Sequence, residues 1–157
     1  MSKFFLSLHV VAAVLAVGPV TVASSLFPPR MRAVLAGNTA RMPEVRLLHR
    51  VTRTYAWVGI AVPVLGVATA VSMGVLNDAW VMVSLVLTAL AAGLLMARIL
   101  PGQAEALATA DGETGAEDRA TAEASTRSLA MMTGVFSLLW TVVLVLMIIR
   151  PGSTTGA

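Results

Sequence analysis

The chain has 157 residues, 57% of them hydrophobic and 12% charged, with a net charge of +3 and no cysteine. A chain this short and this apolar has no room for a soluble domain beside its membrane helices. The lack of cysteine excludes disulfides, thiol–disulfide relays and thiolate-bound metals or clusters. The basic residues gather beside apolar segments, as topology signals do, so the positive balance argues for no nucleic acid.

Four apolar stretches follow in chain order: Phe4–Phe27, Tyr55–Leu76, Trp80–Leu100 and Leu129–Ile149. Each is about 20 residues long, enough to cross roughly 30 Å of hydrocarbon at about 1.5 Å per helical residue. No acidic side chain falls within any of them, and Arg98 stands only at the end of the third. A charge deep in a span usually marks a proton or ion relay, so the usual engine of a proton-coupled pump is missing. The pattern predicts an all-α fold, a four-transmembrane-helix bundle. Its spans would be about 4–27, 55–76, 80–100 and 129–149 in a single integral membrane domain, with neighbours antiparallel.

The first stretch follows Lys3 and passes Val22-Ala23-Ser24-Ser25, which has the small side chains of a signal-peptidase site. Its apolar run is longer than the usual signal core of about 7–15 residues, so it reads as a retained first helix. His9 is expected to hydrogen-bond to a neighbouring helix near the outer interface. Gly18-Pro19 predicts a kink, and Pro28-Pro29 predicts the end of the helix.

Loop 28–54 carries Arg30, Arg32, Arg41, Arg46, Arg50 and Arg53, and Gly37-Asn38-Thr39 reads as a turn. Pro43 and Glu44 suit the start of a helix that runs on into the second span. Arg46, Arg50 and Arg53 then share one face, a candidate contact for anionic lipid headgroups or an acidic partner, while Val45, Leu48 and Thr52 share another. Pro63 predicts a kink in the second span. Gly66, Ala70 and Gly74 repeat every four residues there, and Ala89, Gly93 and Ala97 do so in the third. Such stripes let helix backbones approach closely.

Loop 101–128 holds Glu105, Asp111, Glu113, Glu117, Asp118 and Glu123 against Arg119 and Arg127. It reads as a linker without a core of its own, or as a polar helix from about Glu117 into the fourth span, and it is attracted to the arginines of the first loop. Counting Lys and Arg beside the spans puts both long loops in the cytoplasm, and Asn77-Asp78 and both termini outside. Ten Arg to one Lys, with abundant Ala, Val and Gly, suggests a high-GC bacterium and hence a bacterial plasma membrane.

His9 and His49 lie at opposite ends of the bundle, about 20 Å apart at 1.5 Å per residue, which is too far for one haem. The nine methionines are scattered and form no paired motif with histidine, so the expectation is no cofactor and no metal. No serine has a base nearby to activate it, and no phosphate loop or paired carboxylate occurs. Arg41, Glu44, Arg46 and His49 echo the first loop of small four-helix membrane enzymes that bind an anionic cosubstrate, but in a different order.

The segment Leu8–Pro19 resembles the opening helix of a family of small bacterial integral membrane proteins of unknown function, and Leu48-His49-Arg50 extends the resemblance toward the second span. Related openings occur in copper-resistance membrane proteins, whose paired Met and His ligands are absent here. The resemblance implies four spans and no established activity. The function expected is therefore that of a non-catalytic accessory subunit packing against a larger membrane complex, respiratory or transport in kind. The alternative is a small self-associating transporter or channel. The partners are the lipid bilayer and other membrane subunits or copies of the chain itself.

Overall fold

The computed structural model describes residues 2–112 and 116–152, except for the side chains of residues 2 and 116–119. The helices are α1 (Ser2–Leu35), a 3-10 turn (Thr39–Arg41), α2 (Met42–Gly59), α3 (Ala61–Met73) and α4 (Ala79–Leu94). A π-helical turn (Leu95–Ile99), α5 (Leu100–Ala110) and α6 (Ala116–Ile149) complete the chain. Helices α2 and α3 form one rod, and α4, the π turn and α5 form another. With α1 and α6 this makes four rods long and apolar enough to cross a membrane. The fold is all-α, as the apolar pattern predicts, and its architecture is that of a multi-pass membrane protein.

The rods are longer than the apolar stretches. They run 30 to 35 residues, roughly 45–50 Å at 1.5 Å per residue against a hydrocarbon core of about 30 Å. The surplus falls at one end, where the first span leaves toward Leu35, the second begins at Met42, and the third continues to Ala110. Much of what reads as loop in 28–54 and 101–128 is thus helix. Of the acids in the third loop, Glu113 lies outside the described residues, as do the side chains of Glu117, Asp118 and Arg119.

Pro28-Pro29 does not end α1, contrary to the sequence expectation. The two prolines cost the helix its bonds to the carbonyls of Ser24 and Ser25. Against this, Phe27, Pro28, Met31 and Val34 are all buried on the inner face. The helix stops instead at Gly37, whose φ of 104° a side chain would resist. There the Asn38 N–H donates to Ala33 O at 3.0 Å and the Gly37 N–H to Val34 O at 2.9 Å, the paired bonds of a Schellman cap.

Where Pro63 predicts a kink, the helix is interrupted just before it. The proline cannot donate to the Gly59 carbonyl, and α2 gives way to α3 at Ile60, whose N–H turns back to Trp57 O at 3.2 Å. The Thr69 hydroxyl does not fill that vacancy, since it donates to Leu65 O at 2.7 Å. Pro101 similarly leaves the Ala97 carbonyl without its partner, and the π turn Leu95–Ile99 sits there. At Gly18-Pro19, by contrast, α1 runs on without interruption.

Three apolar clusters stack along the bundle. At the end where the short turn 74–78 lies, Ala70, Val75 and Val81 pack together. In the middle are Val20, Ala56, Ala91, Leu95, Ile99 and Phe136. At the arginine-rich end, Phe27, Met31, Val34, Val45, Ala106 and Leu129 form a third cluster, flanked by Leu35, Met42, Leu48, Leu107 and Ala110. The segment after Leu100 thus shares a core with the first loop, although it is too poor in large apolar residues to build one alone. Gly102 is the tightest crossing there, because a β-carbon added to it would meet Leu129 Cδ2 at 2.8 Å.

Candidate functional site

The two stripes of small residues serve different ends. In α3, a β-carbon added at Gly66 would sit 3.0 Å from His9 Cε1, so this glycine makes room for the imidazole of α1. Ala70 is buried in the bundle. Gly74, at φ 71°, ends α3, with the Val75 N–H donating to Ala70 O at 3.0 Å. This stripe is consumed by the protein's own fold. Ala89, Gly93 and Ala97 lie on the outer wall and are all exposed. Nothing approaches within 4 Å of a β-carbon added at Gly93. Val86 and Leu90 beside the stripe are also exposed.

The arginine face is partly tied down. Arg46 pairs with Asp111 at the end of α5, the attraction between first and third loops that the charge pattern predicts. Arg30 and Arg41 share Glu44, at 3.5 and 3.2 Å. Arg50 and Arg53 are exposed on the same rod as Arg46. On the opposite side of α2, Val45 and Thr52 are buried and Leu48 is half-buried, which is the division of faces expected from their spacing. His49 donates from Nδ1 to Gln103 Oε1 at 3.1 Å, joining α2 to α5. Gln103 is buried, and no spacing rule in the sequence singles it out. Arg41, Glu44, Arg46 and His49 thus each have a partner within the fold and do not converge on a common point.

At the other end, His9 is buried, and its Nδ1 faces Val62 O at 2.9 Å. Because a carbonyl only accepts, Nδ1 carries the proton and Nε2 keeps a lone pair. This is the hydrogen bond to a neighbouring helix expected from the sequence. His49 is 13 residues before Val62, so the two histidines are about 20 Å apart along the rod at 1.5 Å per residue. Among the described residues no group of three or more His, Asp or Glu side chains converges.

His9 also lines a cavity of about 90 Å³ enclosed by α1, α3, α4 and α6, together with Ser84 of α4 and Trp140 of α6. Ser84 is buried, and among the described residues its hydroxyl is the one buried side-chain polar atom without a hydrogen-bond partner. Sequence reasoning passed over it as one more serine without a base. Its visible signal is Thr88 four residues on, which places two hydroxyls on one face of an otherwise apolar helix. A wider groove of about 1090 Å³ opens between α1 and α6 and shares His9 and Trp140 with the cavity.

Comparison with protein-family models, with curated proteins and with solved structures gives no match to this chain.

Proposed function

We propose that the chain is a non-catalytic accessory subunit of the bacterial plasma membrane that packs against a larger membrane assembly through α4. The observation that carries this reading is the exposed stripe Ala89, Gly93 and Ala97, which the bundle itself leaves uncovered. In lipid, helices gain no hydrophobic energy by associating, so close backbone approach over small residues and polar contacts must supply it. The absence of acids from the spans fits a packing role better than proton-coupled transport. The arginine-rich end faces the cytoplasm in this reading, by the positive-inside rule, and the exposed Arg50 and Arg53 meet anionic headgroups there. The opening-helix resemblance adds four spans to this picture and no activity.

The second reading is a self-associating transporter or channel, and the groove between α1 and α6 favours it. A photocrosslinking residue placed at Leu90 tests the choice in cells. The subunit reading expects one discrete crosslinked product containing a different chain, while the same residue at Val14 of α1 yields lipid adducts. A product of exactly two copies of this chain from Leu90 supports self-association, and lipid adducts alone from Leu90 count against both.

A further inference from the structure

We infer that the cavity behind His9 is a binding site for a neutral, hydroxyl-bearing amphiphile drawn from the bilayer. This goes beyond the subunit reading and does not depend on it. Three features of the site point to a ligand of that class. The first is the Ser84 hydroxyl, buried at 2% exposure on the cavity wall without a partner among the described residues. A buried hydroxyl left without a partner is costly compared with a paired one, and an alanine would have avoided it. Two other polar groups on this wall are paired: the Thr69 hydroxyl donates to Leu65 O at 2.7 Å, and the Trp80 indole N–H to Asp78 Oδ2 at 3.1 Å.

The second feature is the imidazole of His9. With Nδ1–H donating to Val62 O, Nε2 is a lone-pair acceptor without a hydrogen-bond partner among the described residues, on a side chain that lines the same cavity. The site therefore offers one acceptor and one hydroxyl that can donate. A phenol or alcohol oxygen answers both, because it donates its proton and accepts another. A ketone, an ester or an ether lacks the proton that Nε2 needs.

The third feature is access. The cavity of about 90 Å³ suits a small head, and the groove between α1 and α6 begins where it ends, with walls of Val10, Val14, Val17 and Leu144 for an apolar tail. The ligand thus enters sideways from the bilayer. At the mouth Arg150 is held back, its guanidinium 5.7 Å from the Trp80 ring centroid and its Nε donating to Met147 O.

The test uses the full chain carrying Trp57→Phe, which removes the exposed tryptophan outside the cavity and leaves Trp80 and Trp140 on the cavity wall. The protein in phosphatidylcholine nanodiscs is titrated with 3-bromo-4-decylphenol and separately with its methyl ether, and bromine quenching of tryptophan is followed. The phenol is expected to quench saturably and to bind roughly fivefold more tightly than the ether, the worth of about one net hydrogen bond. Ser84→Ala, which removes the donor that either oxygen can accept from, should weaken the phenol and the ether alike and leave the preference for the phenol, which rests on His9 Nε2, in place. Quenching that climbs without saturation, or that is equal for phenol and ether in the unsubstituted cavity, overturns the inference. So does an affinity for the phenol that Ser84→Ala leaves unchanged.

Discussion

His9 on α1 and Gly66 on α3 are fitted to one another: a β-carbon at position 66 would stand 3.0 Å from the imidazole Cε1, and the ring's Nδ1 lies 2.9 Å from Val62 O, one turn away on the same helix. The glycine removes the obstacle, and the histidine uses the space to bond across the helix pair. Gly66→Leu should therefore damage the bundle itself, by about 1–3 kcal/mol for overpacking, with the interhelical hydrogen bond adding on the order of 0.6 kcal/mol. Gly93→Leu, in open space, should change stability by less than about 0.5 kcal/mol. Unfolding in mixed micelles of rising dodecyl sulfate content compares the two directly, and equal midpoints would refute the distinction.

The arginine-rich end makes a second prediction, because it holds a packed core rather than two loops. Met31 is fully buried there with Phe27, Val34, Val45 and Ala106. Met31→Ala should cost about 2–5 kcal/mol, as for other buried large-to-small changes. Asp111→Asn, which removes the partner of Arg46 on a solvent-facing surface, should cost under about 1 kcal/mol. Hydrogen exchange at this end should rise sharply in the first variant and hardly in the second. If Met31→Ala has no effect, residues 28–54 and 101–112 behave as loops after all.

These cases show what the sequence made legible and what it did not. The four helices, the break near Pro63 and the turn at Gly37 all follow from local rules, because apolar length and residue-specific backbone geometry decide them. The attraction between the two loops was visible as charge of opposite sign on one side, but which arginine and which acid meet, Arg46 and Asp111, was not. Nor was the passage of α1 through Pro28-Pro29, because it depends on burial of Phe27, Pro28 and Met31 against residues such as Val45 and Ala106 that are distant in sequence. The same is true of Gly102, a close crossing only because Leu129 of α6 lies over it. At the candidate sites, the spacing of Gly66 and Gly93 is alike in sequence. Which of them faces the bundle depends on how α3 and α4 are rotated, and periodicity alone does not report that. Ser84 carried only the weak signal of a second hydroxyl, Thr88, one turn on, and what that face does depends on the cavity around it.

The orientation proposed from the arginines has its own test. Cysteines introduced singly at Asn77 and at Gly112 lie at opposite ends of the bundle and, since both residues are exposed, in accessible turns. In intact cells an impermeant thiol reagent should modify Asn77→Cys and spare Gly112→Cys until the membrane is opened. The reverse pattern would place the arginine-rich end outside and remove the cytoplasmic headgroup contact proposed for Arg50 and Arg53.

The central claim is that α4 presents Ala89, Gly93 and Ala97 to a partner. Native mass spectrometry of the chain after gentle detergent extraction from its own membrane, with the co-purifying chains identified, tests this most directly. The account predicts a larger assembly for the natural sequence, and for Gly93→Leu an intact, folded monomer released from it. A free monomer from the natural sequence, or an assembly that Gly93→Leu leaves unchanged, would contradict it.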